Sequence, residues 1–130
     1  MMTASRLALV ADDDAAARRL MTRLLKQQGW TVVEATNGEE VLKMCDRHPP
    51  ALILLDLRMP GPVDGLLAAS LLRQHPSFQK VPIIAVSASP HENFRQRALQ
   101  AGCTAFLSKP LNRDELVRQL RLLTRAEDTR

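Results

Sequence analysis

The chain has 130 residues, 45% apolar and 25% charged, with a formal net charge of +4, and that length suits one domain with a real core. No apolar run approaches the roughly 18 residues of a membrane helix, and Asp12 to Asp14 interrupt any export signal near the start. A pI of about 9.7 would suit nucleic acid, but three Phe, one Trp, no Tyr and the lack of a basic run disfavour direct binding.

Residues 6–11 form a short apolar segment running into Asp12-Asp13-Asp14, which reads as strand 1, and Asp14 is placed to cap a helix directly after it. Over 15–28, Ala17, Leu20 or Met21, Leu24 and Leu25 recur at helical spacing, and Gly29 supplies a stop. The opposite face carries Arg18, Arg19, Arg23 and Lys26: either a solvated surface or a docking surface for an acidic partner helix. Strand 2 covers 31–35 and closes at the Asn37-Gly38 turn. A short helix over 39–47 stops at His48-Pro49-Pro50.

Residues 51–56 are strand 3, an uninterrupted apolar run that ends in Asp56. Such a run, bounded by turn residues, reads as a strand buried on both faces of a parallel sheet. Helix 3 spans 65–74, strand 4 spans 81–86 and delivers Ser87, and helix 4 runs from Pro90 to about Ala101. Strand 5 covers 104–108 and ends at Lys109-Pro110. The last helix runs from 113 to about 125, with Asn112 as cap and Leu116 or Val117, Leu120 and Leu123 facing inward. His48, His75 and His91 all sit beside prolines and are assigned no chemistry. Alternation of five strands with five helices predicts an α/β fold, a doubly wound parallel sheet with right-handed crossovers. With the sequence stopping soon after the last helix, no output domain is expected within these residues.

Strand ends then supply Asp12 and Asp13, Asp56, Ser87 and Lys109 to one edge of the sheet. Carboxylates gathered there repel one another and raise their own pKa values unless a cation meets them. Mg²⁺, which takes one or two carboxylates with waters and phosphate oxygens, matches such a site. Asp56 is the candidate nucleophile for a phosphoryl group. Cys45 and Cys103 have no metal or redox spacing and read as reduced cytosolic thiols.

Val-Ala-Asp-Asp-Asp at 10–14, Leu-Leu-Asp-Leu-Arg-Met-Pro-Gly at 54–61, Val-Ser-Ala at 86–88 and Lys-Pro at 109–110 resemble the response-regulator receiver domain of two-component signalling. The motifs fall in the family's order across nearly the whole chain. The resemblance, which includes chemotaxis regulators, implies a flavodoxin-like five-stranded sheet in the order 2-1-3-4-5. It implies a single receiver domain over 1–130, with a core of about 5–125.

It also implies roles. Asp56 would accept a phosphoryl group from a phosphohistidine on a histidine kinase or histidine phosphotransfer protein. Asp13 and Asp56 would ligate Mg²⁺, or Mn²⁺ in its place, with the backbone carbonyl of Arg58 as a third ligand and Asp12 holding a water on the metal. Lys109 would pair with the phosphoryl oxygens and Ser87 would donate its hydroxyl to them. Phe106 would be the switch aromatic, the Lys109–Pro110 bond would be cis, and helix 4, strand 5 and helix 5 would form the readout surface for a downstream protein or a homodimer. The protein would be cytoplasmic, and no enzyme beyond assisting its own phosphorylation and dephosphorylation.

The sequence departs from the family in three places. Ser87 stands where Thr is common, Phe106 lacks a Tyr hydroxyl, and one extra residue falls near Pro62 in the loop after Asp56. Arg58 either tunes water access to the phosphoryl group or is simply solvated. Two rival readings remain. A small phosphatase turning over through an aspartyl phosphate would want an acid–base carboxylate two residues after Asp56, where Arg58 stands. A pseudo-receiver that only binds partners would not need the complete acidic set.

Overall fold

The computed structural model describes residues 6–88 and 92–128. In chain order they form β1 (Leu7–Ala11), α1 (Ala15–Gln27), β2 (Thr31–Ala35), α2 (Gly38–Arg47), β3 (Leu52–Asp56), α3 (Gly65–Gln74), β4 (Ile83–Ser87), α4 (Glu92–Gln100), β5 (Ala105–Ser108) and α5 (Arg113–Asp128). The strands pair in parallel in the order β2-β1-β3-β4-β5, as expected. Among the described residues no helix is long and apolar enough to cross a membrane.

Side chains alternate across each strand, so the sheet feeds two separate cores. Leu9, Ile53, Leu55, Ile83 and Ala85 pack with residues of α2, α3 and α4, while Val10, Leu52, Leu54, Ile84 and Val86 pack with residues of α1 and α5. This double burial is why β3 and β4 read as continuous apolar runs. Burying each aliphatic side chain of this size contributes about 1.5–3 kcal/mol, and Leu52, Ile53, Leu54 and Leu55 are all fully buried.

Four helix starts among the described residues are capped by the residue type that favours the role. Asp14 accepts from the Ala17 N–H at 3.0 Å, Asn37 from Glu40 at 2.8 Å and Asp64 from Leu67 at 2.9 Å. Asn112 accepts similarly from Glu115, at 3.1 Å, at the start of α5. Asn37 is therefore a cap as well as a turn residue. Of the paired alternatives for inward-facing residues, Met21 and Leu116 are buried, while Leu20 is exposed. A 3₁₀ turn at Pro76–Phe78, not foreseen in the sequence, comes after α3. There His75 finds a structural use, its Nδ1 accepting from the Ser77 N–H at 3.1 Å. α5 continues to Asp128, beyond the expected 125. The expected helix start at Pro90, and His91 with it, lies outside the described residues.

Two glycines set the path of the loop after β3, where the extra residue falls. A Cβ on Gly65 would run into the Asp56 carbonyl and the Leu57 backbone, and one on Gly38 into the Val63 backbone. The loop is thus wedged between two helix starts, with Gly65 N–H bonded to the Leu57 carbonyl at 3.1 Å. Backbone cannot yield as a flexible side chain can. Gly65→Ala should lower stability by about 2 kcal/mol or more, read from the urea midpoint at unchanged slope.

Candidate functional site

The parallel order brings the carboxyl ends of β1 and β3 side by side, with Ala11 opposite Leu55. The next residues, Asp12 and Asp13 on one side and Asp56 on the other, meet at the reversal of winding direction. One carboxylate oxygen from each of Asp12, Asp13 and Asp56 lies within 4.8 Å of the others. Asp12 is fully buried and Asp56 is 4% exposed, while Asp13 faces solvent.

Backbone donors hold the two buried groups. Asp12 Oδ1 accepts from the Asp14 N–H at 2.9 Å, and Asp56 Oδ1 from the Arg58 N–H at 3.2 Å. The Lys109 ammonium bridges their other oxygens, 2.7 Å from Asp12 Oδ2 and 3.5 Å from Asp56 Oδ2. Apart from that ion-pair contact, the buried Asp12 Oδ2 receives no hydrogen bond. One ammonium therefore pairs with two of the three carboxylates. Burial above all pushes the Asp56 carboxyl up to about 6; the Asp12 charge adds to this, and the Arg58 N–H and Lys109 oppose it. Burial disfavours the Lys109 charge, but the two carboxylates outweigh it and raise its pKa above the ordinary value. Hard oxygen donors whose negative charge exceeds that of the one ammonium beside them fit a hard divalent cation.

Lys109 lies just past β5, its N–H bonded to the Ser87 carbonyl at 2.9 Å, and the Lys109–Pro110 bond is cis. Ser87, fully buried, ends β4 opposite Ser108. Phe106 is half-buried on β5, packed against the core on the α2–α4 side, with the Arg95 guanidinium 5.4 Å from its ring centroid. Arg58 is exposed, and its guanidinium lies 6.0 Å from the Phe94 ring centroid on α4.

Sequence reasoning missed two arginines. Arg18 came out as one of four cations on the outer face of α1. It instead turns inward, donating to the Asp12 carbonyl at 2.8 Å and to Glu34 Oε1 at 2.9 Å. Arg73 laces α3 to the turn before β5, donating to the Gly102 carbonyl at 2.8 Å, the Phe78 carbonyl at 2.6 Å and Thr104 Oγ1 at 3.2 Å. No local signal marks either, because most of their partners lie far along the chain.

Residues 8–121 match the response regulator receiver domain. The chain belongs to that family. Receiver domains are the phosphoacceptors of two-component signalling rather than classical enzymes, and those of this kind work with histidine kinases or phosphotransfer proteins. The polar-differentiation response regulator DivK of Brucella anthropi is 31% identical over 104 residues, which cover 80% of this chain and 84% of that one. The positive alginate biosynthesis regulatory protein of Pseudomonas aeruginosa is 35% identical over 120 residues, and there the match covers 90% of this chain but only 46% of the relative. The receiver domain of the sensor histidine kinase PA1611 from Pseudomonas aeruginosa superposes with a TM-score of 0.83 at 30% identity, covering 92% of this chain and 98% of that one. That crystal structure has a magnesium ion in the active-site cleft.

The raised Asp56 pKa carries a sign. A carboxyl that titrates higher in the folded receiver than in the unfolded chain destabilises the fold once ionised. That penalty is fully present above about pH 6 and gone below the ordinary carboxylate range. Without divalent metal, Asp56→Asn should be more stable than wild type at pH 7.5, by up to about 3 kcal/mol at 1.36 kcal/mol per unit. The gap should close by pH 4, as measured by urea unfolding in chelator.

Proposed function

We propose that this receiver accepts a phosphoryl group on Asp56 from a partner phosphohistidine, in a site that binds Mg²⁺. The observation that carries the reading is the set of three carboxylate oxygens within 4.8 Å, bridged at its buried members by Lys109. Phosphoryl transfer asks a protein for in-line positioning and charge neutralisation more than for covalent help. An Asp56 carboxylate oxygen attacks phosphorus, the P–N bond breaks, and its electron pair leaves on the imidazole. Mg²⁺, or Mn²⁺ in its place, held by Asp13, Asp56 and the Arg58 carbonyl with Asp12 one water removed, would supply positive charge against the phosphoryl oxygens.

Lys109 provides the rest. Its ammonium already stands between Asp12 and Asp56, so pairing with a phosphoryl oxygen needs only a small shift. The new group carries about −1.5 to −2 charge in place of one carboxylate charge. Ser87, at the end of the neighbouring strand, donates its hydroxyl to the same group. That movement then biases Phe106 and the surface of α4, β5 and α5, where a downstream protein or a second copy would bind.

A phosphohistidine donor must approach over the rim of this site. Beside Lys109, α1 and the loop after β5 enclose a cavity of about 240 Å³ lined by Ala17, Leu20, Met21, Val86, Pro110 and Leu111. The exposed cations Arg19, Arg23 and Lys26 stand on the same helix. An apolar pocket on one side of α1 and a basic face on another suit a partner that lays an apolar knob in the first and acidic side chains along the second.

Incubation with Mg²⁺ and a small phosphodonor should add one phosphate to wild type and none to Asp56→Asn, read by intact mass. No adduct on wild type, or the same adduct on the variant, overturns the assignment. Steady hydrolysis of a phosphomonoester would favour the phosphatase reading instead. Arg19→Glu combined with Arg23→Glu should slow transfer from a phosphorylated protein donor about tenfold or more at low salt, and far more than it slows labelling by the small donor.

A further inference from the structure

Asp13 presents a contradiction. It is the exposed member of the acidic cluster, and among the described residues no hydrogen bond holds its carboxylate, unlike those of Asp12 and Asp56. With no such contact to fix it, its backbone is the part that the rest of the fold can position. The relevant peptide plane, between Asp12 and Asp13, is anchored on one side: the Arg18 guanidinium donates to the Asp12 carbonyl at 2.8 Å. Arg18 is itself held. Its Nε donates to Glu34 Oε1 at 2.9 Å, and the second oxygen of Glu34 accepts from Thr22 Oγ1 at 2.8 Å. Arg18 and Thr22 stand one turn apart on α1 and grip both oxygens of one β2 carboxylate. The Arg18 side chain is 18% exposed and its Glu34 partner 38%, so the pair sits at the surface with its arginine largely covered.

We infer that Arg18, locked by Glu34, is a positioning residue that orients the Asp12–Asp13 peptide and thereby aims the Asp13 carboxylate at a bound divalent cation. This rests on the metal site proposed above. Groups that hold a ligand without touching the metal commonly change affinity 10–100-fold when removed.

The sign of the effect separates orientation from charge. Arg18 places a positive charge close to the cation site, so by Coulomb's law alone its removal should tighten cation binding. Positioning demands the opposite. A purely structural role would lower stability and leave affinity unchanged.

The test is calorimetric titration of the metal-free chain with MgCl₂, for wild type, Arg18→Gln and Glu34→Ala, with urea unfolding of each in chelator. Glu34 sits on the edge strand with its side chain 38% exposed, so its truncation removes no apolar core contact, and the cost of losing the acceptor of the buried Thr22 hydroxyl is read from the unfolding curve. Both variants should bind Mg²⁺ about tenfold more weakly. The double variant should be little worse than either single one, because the two residues act as a unit. Raising Mg²⁺ to saturation should bring labelling of Arg18→Gln by a small phosphodonor close to wild type. Unchanged or tighter binding by Arg18→Gln overturns the inference while leaving the metal site standing. Failure of wild type to bind Mg²⁺ overturns both.

Discussion

Three carboxylates crowded at the tips of two adjacent strands, two of them out of water, form an arrangement that electrostatics opposes. The rest of the structure can be ordered by how it manages that repulsion. Parallel pairing of β1 with β3 creates the crowding, and the glycine contact at Gly65 lets α3 begin directly behind the Asp56 carbonyl. The bond from Lys109 N–H to the Ser87 carbonyl brings the next strand's lysine over the cluster. Even so, one ammonium leaves a surplus of negative charge, and burial above all, with the Asp12 charge added, raises the Asp56 pKa. A fold chosen for stability alone would not keep this surplus. A site kept ready for a metal and a phosphoryl group has reason to.

The two buried carboxylates and the exposed one divide the work accordingly. Asp12 and Asp56 are fixed by backbone donors, and such bonds to charged groups are stronger than neutral ones. Asp13, open to solvent, would leave the proposed Mg²⁺ a route by which to enter and exchange while hydrated. An all-buried cluster would be costlier to charge and slower to load; an all-exposed one would lose the low-dielectric gain that makes Lys109 effective.

How much of this was legible in the sequence depends on chain distance. β3 was readable because double burial demands an uninterrupted apolar run, and α1 because Met21, Leu24 and Leu25 repeat at helical spacing. The caps at Asp14 and Asn112 were readable because their partners lie three residues on. Asp56, Asp12, Asp13 and Lys109 stood out as one pattern spread over the chain in the family's order. Arg18 did not: its spacing on α1 matches a solvated face, and only the neighbouring strand, 16 residues away, shows that Glu34 draws it inward. Arg73 is the same case, its bonds to Gly102 and Thr104 spanning 29 and 31 residues. The 3₁₀ turn at Pro76–Phe78 escaped because Pro76 reads equally well as a simple helix stop.

Among the described residues, Arg58 links the site to α4 directly. The Arg58 N–H touches the Asp56 carboxylate, and its guanidinium reaches the Phe94 ring, which Arg97 also approaches at 5.4 Å. Arg95 similarly connects α4 to Phe106 on β5. At partly exposed sites each such contact is worth about 0.5–1 kcal/mol, and a tenfold change in a two-state ratio takes about 1.4 kcal/mol. One contact of this strength cannot lock α4, and its loss cannot by itself complete a switch. Two or three together lie in the range that a change of charge at Asp56 could overcome. Weak cation–aromatic ties are thus better matched than a buried salt bridge to a surface that must move when the proposed phosphoryl group arrives.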